Sequence, residues 1–126
     1  MREIWVVDDD EEMSRAVALM LGMLECNVTT YVNVRTAAQD FVAGKKPDLL
    51  ILDINMPEVT GLDMVEFLRR RAETKKLPIV MLSSEATDII IDQALELGAD
   101  SYAMKPVTLE ELEKAMATAF YKHLET

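Results

Sequence analysis

Five short runs typical of strands, three of them wholly apolar, alternate along the chain with longer stretches in which apolar residues recur at helical spacing. The runs cover residues 4–7, 28–31, 49–52, 78–82 and 101–104, and the helical stretches cover residues 11–24, 34–43, 61–71, 87–97 and 108–123. Strands that alternate with helices form a parallel sheet, because each helix crosses a face of the sheet between two strands. The pattern therefore predicts five β-α units in a doubly wound α/β fold.

Polar residues stand where four of these runs end. They are Asp8 and Asp9 after the first run, Asp53 after the third, Ser83 after the fourth and Lys105 after the fifth. The carboxyl ends of parallel strands meet at one edge of a sheet, which is also where doubly wound folds bind ligands. We therefore expect three carboxylates, a hydroxyl and an ammonium group to converge at that edge.

The carboxylates of this expected cluster offer only oxygen donors, and no His or Cys accompanies them. Crowded carboxylates repel one another unless a cation joins them, and oxygen donors favour a hard cation such as Mg²⁺. A carboxylate beside such a cation can act as a nucleophile toward phosphorus and form an aspartyl phosphate. The lysine and the hydroxyl would then bind phosphoryl oxygens and stabilise the developing charge.

The composition indicates in which compartment the protein acts and which class of partner it can bind. The net charge of the 126 residues is −10, which repels phosphate backbones, so we expect no direct binding of nucleic acid. The single cysteine, Cys26, cannot form an internal disulfide and fits a reducing compartment. No secretory signal is evident, and the longest apolar run, residues 16–24, is too short to span a membrane. We expect one domain over residues 1–126, located in the cytoplasm.

Four motifs resemble those of a known family, the receiver domains of two-component response regulators. In chain order they are VVDDD, LLILDINMPEVTGLD, PIVMLSSEA and GADSYAMKP, and the resemblance runs from about residue 4 to about residue 121. It implies a flavodoxin-like (βα)5 fold, a three-layer sandwich with a five-stranded parallel sheet in the order 2-1-3-4-5. The sequence alone leaves open whether this receiver is a complete protein or part of a longer one.

The resemblance also implies a function, that of a phosphorylation-dependent signalling switch. A sensor histidine kinase or a phosphotransfer protein would donate a phosphoryl group to Asp53 with Mg²⁺. The domain would then bind a downstream protein, or a second copy, through its fourth helix, fifth strand and fifth helix. It is expected to take part in its own phosphorylation and dephosphorylation without being an enzyme that acts on an external substrate.

The resemblance implies roles for individual residues at the carboxylate edge. Asp53 resembles the phosphoacceptor. Asp9 resembles the direct metal ligand and Asp8 the acid that acts through water, while Asn55 stands where the family places a backbone carbonyl on the metal. Asn55 and Glu85 also stand where side chains flank the path of attacking water, so both are expected to tune the lifetime of the phosphoryl group.

Further positions resemble the parts of the family's switch. Ser83 resembles the switch hydroxyl, Lys105 the phosphate-binding lysine, and the bond from Lys105 to Pro106 the family's cis peptide bond. Tyr102 resembles the switch aromatic, which changes rotamer together with the hydroxyl; ordinary packing is its competing interpretation.

Two helix starts can be read directly from the residues. Asp10, Glu11 and Glu12 are expected to cap the first helix and to complement its positive end. Thr108 followed by Glu111 predicts a capping box at the last helix.

Three consecutive isoleucines in the fourth helix cannot all face the core, because three helical residues sweep about 200°. Ile91 shares its face with apolar residues and Ile89 with polar ones. We therefore predict that Ile89 is exposed and hypothesise that it anchors a partner or a homodimer; a lone exposed apolar residue is the competing interpretation.

Three other functions fit parts of the pattern. An unphosphorylated adaptor would keep the fold without the chemistry, although all the key positions are filled. An aspartyl-phosphate hydrolase would need a second acid two residues after its nucleophile, where this chain has Asn55. A flavin-binding domain would need a phosphate-binding loop after the first strand, where the acidic run DDDEE would repel the phosphate.

Overall fold

A computed structural model of the chain describes residues 1–56, 60–84 and 88–124, without the side chain of Asp88. Five strands alternate with five helices, as the sequence predicts. The strands are β1 (Glu3–Val7), β2 (Asn27–Tyr31), β3 (Leu49–Asp53), β4 (Ile79–Ser83) and β5 (Ser101–Met104). The helices are α1 (Glu11–Met23), α2 (Val34–Val42), α3 (Gly61–Arg69), α4 (Asp88–Leu97) and α5 (Leu109–Lys122).

The strands form one parallel sheet in the order β2-β1-β3-β4-β5, which confirms the predicted order. Helices α1 and α5 cover one face of the sheet, and α2, α3 and α4 cover the other, each with its own apolar cluster. The structure is therefore the expected three-layer sandwich. No helix in the described part of the chain is long and apolar enough to cross a bilayer.

Strand β3 shows why the central runs lack polar residues. Leu50 and Leu52 point into the cluster under α2, α3 and α4, whereas Leu49 and Ile51 point into the cluster under α1 and α5. All four side chains are fully buried, because successive residues of a strand face opposite sides and here both sides are covered.

The ends of the helices differ in detail from the sequence-based prediction. Helix α3 ends at Arg69 rather than at residue 71, since the carbonyl of Leu68 accepts hydrogen bonds from the Thr74 hydroxyl (2.6 Å) and the Arg71 backbone amide (3.3 Å). These two bonds replace the continuing helical pattern and close the turn that leads to β4. The other bounds agree to within one residue, and residue 87 lies outside the described residues.

The capping box predicted at α5 is only half formed. Thr108 Oγ1 accepts from the backbone amide of Glu111 (3.2 Å), but no bond returns from the Glu111 side chain within the described residues. A complete capping box is found at the start of α3 instead. There Thr60 Oγ1 accepts from the Asp63 amide (3.3 Å) and Asp63 Oδ2 accepts from the Thr60 amide (3.1 Å).

Candidate functional site

Three carboxylates meet at the carboxyl edge of the sheet. Asp8 follows β1 directly, Asp9 is the next residue, and Asp53 ends β3, the neighbour of β1. One carboxylate oxygen from each of the three lies within 4.8 Å of the others. Asp8 and Asp53 are buried, whereas Asp9 is exposed. The cluster therefore consists of two buried carboxylates and one that faces solvent.

Lys105 closes the cluster from the side of β5. Its Nζ lies 2.9 Å from Asp8 Oδ2 and 3.3 Å from Asp53 Oδ1. Its backbone amide donates to the Ser83 carbonyl (2.8 Å), which ties the residue to the end of β4, and its bond to Pro106 is cis, as expected. Burial lowers the pKa of Lys105, but the close contact of its ammonium group with Asp8 and the charges of both aspartates outweigh burial and raise it.

The ionisation of Asp53 is finely balanced. Burial and the negative charge of Asp8 raise the pKa of Asp53 from its ordinary value of 3.8 to about 6. The Lys105 ammonium and the backbone amide of Asn55, which donates to Asp53 Oδ1 at 3.2 Å, act in the opposite direction. The charged form of Asp53 is thus incompletely compensated by the protein alone, and a cation at this edge would favour it.

The two oxygens of Asp8 have different surroundings. Oδ1 accepts a hydrogen bond from the Asp10 backbone amide (3.0 Å). Oδ2 is buried and lies in the ion pair with Lys105, but it forms no hydrogen bond of suitable direction with the described residues. A buried carboxylate oxygen without such a partner, beside two further carboxylates, fits a hard divalent cation such as Mg²⁺.

The acidic run at residues 8–12 divides into two parts. Asp8 and Asp9 belong to the carboxylate cluster. Asp10 is the N-cap of α1, and its side chain accepts from the first backbone amides of that helix. Glu11 and Glu12 are exposed in its first turn, where negative charge complements the helix dipole.

Gly61 positions Asp53, a contribution that the sequence reading missed. A Cβ atom at this residue would lie 2.2 Å from the Asp53 carbonyl oxygen and 3.0 Å from the Ile54 Cα. Helix α3 can begin this close to the end of β3 only because Gly61 has no side chain. The stretch TGLD, residues 60–63, could have indicated this role, because the threonine that caps α3 directly precedes the glycine.

The expected switch residues occupy two different places, the end of β4 and the outer surface of β5. Ser83 ends β4 and is fully buried, while Tyr102 on β5 is exposed and its side chain lines the outer groove between β5 and α5. Asn55 is exposed next to Asp53. Glu85 lies outside the described residues.

Helix α4 presents one isoleucine to solvent and one to the core, as predicted. Ile89 is 71% exposed, whereas Ile91 is 8% exposed. A groove of about 390 Å³ runs between α4, β5 and α5, and its lining includes Leu95, Tyr102 and Lys114. Helix α4 therefore carries an exposed apolar residue, Ile89, and contributes Leu95 to the wall of an open groove.

The architecture and the carboxylate cluster agree with a family assignment from sequence comparison. The family described as "Response regulator receiver domain" matches residues 4–117. The chain therefore belongs to the receiver domains of two-component response regulators. Receiver domains are signalling domains that act between sensor kinases and downstream effectors.

Individual relatives support this assignment. The chemotaxis protein CheY of Pseudomonas aeruginosa is 30% identical, over 94% of this chain and 95% of its own length. The phosphate regulon transcriptional regulatory protein PhoB of Rhizobium meliloti is 36% identical over 87% of this chain. The chain spans 48% of that regulator, or about half of its length.

Solved structures show the same architecture. The chemotaxis protein CheY4 of Vibrio cholerae superimposes with a TM-score of 0.83 at 28% identity, covering 98% of this chain and 99% of its own. A sensor protein from Polaromonas sp. JS666 reaches a TM-score of 0.87 at 22% identity, with 98% of both chains covered, and supports the fold alone.

Proposed function

We propose that this receiver domain accepts a phosphoryl group on Asp53 and holds Mg²⁺ with Asp8, Asp9, Asp53 and the backbone carbonyl of Asn55. The observation that carries the proposal is the position of Lys105, whose ammonium bridges Asp8 and Asp53 beside the exposed carboxylate of Asp9. A nucleophile, a cation-binding pair and a fixed positive charge are the parts that phosphoryl transfer requires.

The chemistry assigned to the protein groups is simple. A carboxylate oxygen of Asp53 forms a bond to phosphorus while the bond from phosphorus to the donor's nitrogen breaks, and the donor keeps the electron pair. Lys105 stabilises the negative charge that gathers on the phosphoryl oxygens. Mg²⁺, when held by the carboxylates of Asp8, Asp9 and Asp53, would supply further neutralisation of this charge.

The proposed donor is a sensor histidine kinase or a phosphotransfer protein. The Ser83 hydroxyl, buried at the end of the neighbouring strand, is proposed to bind the transferred group, and Tyr102 to change rotamer in response. The altered surface would then be that of α4, β5 and α5, with Ile89 as an apolar anchor for a downstream protein or a second copy. Asn55 and Glu85 are proposed to set how fast water removes the phosphoryl group.

The domain is not proposed to bind nucleic acid or to act on an external substrate. Its acidic surface disfavours direct contact with nucleic acid, so any transcriptional output would pass through another domain or protein. We propose that it acts in the cytoplasm without membrane contact. Asn55 provides no second acid for the hydrolysis of an external phosphate ester, so the domain's own phosphorylation is its chemistry.

The first test is incubation with acetyl phosphate, followed by measurement of phosphoryl incorporation. We expect incorporation that requires Mg²⁺ and that falls at least about tenfold in Lys105→Gln. Lys114→Gln is the matched control, since it removes the same charge from an exposed lysine on α5. Equal incorporation with and without Mg²⁺, or equal rates in the two variants, would contradict the proposed chemistry.

A further inference from the structure

Basic residues gather at the edge of the sheet opposite the carboxylate cluster. Seven of the chain's thirteen Lys and Arg residues lie in two short segments, residues 45–46 and 69–76, which contain one acidic residue between them. The segments precede β3 and β4, so both lie at the amino edge of the sheet. An otherwise strongly acidic protein thus carries a local basic surface.

The arginines of this surface have partners within the chain. Each of the three pairs with a carboxylate. The pairs are Arg69 with Asp100, Arg70 with Glu66 and Arg71 with Glu73. Arg69 also donates to the carbonyls of Gly98 (2.9 Å) and Thr74 (3.1 Å). Arg69 is therefore held within the fold, and the charges of Arg70 and Arg71 are each paired with a neighbouring glutamate.

The lysines of this surface lack such partners. Lys45, Lys46, Lys75 and Lys76 are exposed, and none of them forms an ion pair with a described residue. The one hydrogen bond from their ammonium groups within residues 1–56, 60–84 and 88–124 runs from Lys46 Nζ to the Glu73 carbonyl at 3.4 Å. Their positive charge is available to an external partner.

Three of these lysines line a groove of about 440 Å³, which we call the lysine groove. Its positive residues are Lys46, Lys75 and Lys76, and Pro47, Leu77 and Pro78 add apolar surface. The groove is supported by the sheet, because the Leu50 amide donates to the Pro78 carbonyl at 2.9 Å.

The acidic residues in the lining of the lysine groove are already occupied. Asp48 Oδ2 accepts from the Glu3 backbone amide at 2.7 Å, and Glu73 lies 3.7 Å from Arg71. The three lysines also outnumber these two carboxylates, so the lining of the groove keeps a net positive charge.

We propose that the lysine groove docks an acidic segment of a protein partner. Charge complementarity favours carboxylates, and the apolar lining can contact the aliphatic parts of such a segment. A nucleic acid fits less well, because it extends far beyond the groove and meets the acidic remainder of a chain whose net charge is −10.

The groove lies far enough from Asp53 to work independently of it. The five residues of β3 separate the two edges, a distance of about 13 Å at roughly 3.3 Å per residue. A partner docked in the lysine groove would leave the carboxylate cluster open. This docking goes beyond the proposed phosphoryl transfer and does not depend on it.

Fluorescence anisotropy with a labelled poly-glutamate peptide tests the proposal. Lys75→Gln/Lys76→Gln should weaken binding by about five- to twentyfold, as expected for the loss of two exposed ion pairs. The control Arg15→Gln/Arg35→Gln removes the same net charge from exposed sites outside the groove and should change binding by less than about twofold. Asp53→Asn should bind the peptide as the wild type does.

Three results would overturn the proposal. The first is no binding of the peptide at roughly millimolar protein. The second is an equal loss of affinity in the two double variants, which would show a general charge effect. The third is tighter binding of a single-stranded oligothymidylate of the same negative charge, which would identify the groove as a nucleic-acid site.

Discussion

Lys105 Nζ lies 3.3 Å from Asp53 Oδ1, yet the pKa of Asp53 is still raised to about 6. Burial and the charge of Asp8 together outweigh the attraction of the ammonium group. A cation bound beside Asp53 would lower this cost of ionisation, which agrees with the proposed role of Mg²⁺ at the site. Without a bound cation, the ionised form of Asp53 therefore destabilises the folded state.

This cost predicts that removal of the charge at Asp53 stabilises the fold. The folded-state pKa of about 6 exceeds the ordinary value of 3.8, so the folded state binds the proton more tightly. The contribution of Asp53 to wild-type stability should therefore fall as the pH rises through this window. Without divalent cations, Asp53→Asn should raise the free energy of unfolding by about 1–3 kcal/mol near pH 7.5 and by almost nothing near pH 4. Urea unfolding measures both values, and an equal difference at the two pH values would contradict this explanation.

Neutralising Asp9 should weaken Mg²⁺ binding, whereas neutralising Glu12 should not. Asp9 lies in the carboxylate cluster, and Glu12 lies in the first turn of α1. Isothermal titration calorimetry with MgCl₂ should show a loss of at least about tenfold in affinity for Asp9→Asn. Glu12→Gln should keep its affinity and lose only a few tenths of a kcal/mol of stability, about the strength of a helix-dipole interaction. Equal Mg²⁺ affinities in the two variants would show that Asp9 is not a ligand.

Two glycine substitutions should have opposite effects. In Gly61→Ala the new Cβ would lie 2.2 Å from the Asp53 carbonyl oxygen, so α3 must shift, at a cost of about 1–3 kcal/mol. Gly22 is exposed on α1, and a Cβ atom added there would meet no side chain and no atom of another element within 4 Å. Gly22→Ala should therefore stabilise the protein by about 0.5–1 kcal/mol. Thermal or urea unfolding of both variants provides the comparison. A neutral Gly61→Ala would show that the close approach to Asp53 is not a constraint.

Ile89→Glu should weaken association without changing stability. The side chain is 71% exposed, so a charge there costs the monomer little but would disrupt an apolar contact. Leu19→Glu is a matched control, because Leu19 on α1 is 70% exposed and takes the same change. Sedimentation before and after treatment with acetyl phosphate should show that Ile89→Glu loses at least about tenfold in dimer or partner affinity. Unchanged association would leave Ile89 as an ordinary exposed residue.

The strands and the carboxylate edge could be predicted because they depend on local pattern. The apolar runs LLIL and IVML mark strands covered on both faces, and the parallel arrangement places Asp8, Asp53 and Lys105 at one edge. These inferences need only the periodicity of strands and the direction in which they run.

The contacts between distant residues could not be predicted in this way. Asp100 accepts from Arg69 (3.1 Å) and from the Ile79 amide (2.8 Å), and its other oxygen lies 2.8 Å from His123 Nε2. These four residues come from α3, β4, the turn before β5 and the end of α5. No local pattern joins them, because the pairing depends on how the helices pack after the sheet has formed. The sequence could not predict the lysine groove for the same reason. Only the structure shows that the arginines of these segments form ion pairs and that the lysines do not.

The most direct test of the central claim is mass spectrometry of the chain after treatment with acetyl phosphate and Mg²⁺. Wild-type protein should gain the mass of one phosphoryl group, and fragmentation should locate it at Asp53. Asp53→Asn should gain none, while Glu12→Gln should label as the wild type does. Labelling that persists in Asp53→Asn, or a phosphoryl group at any other residue of the wild type, would contradict the account.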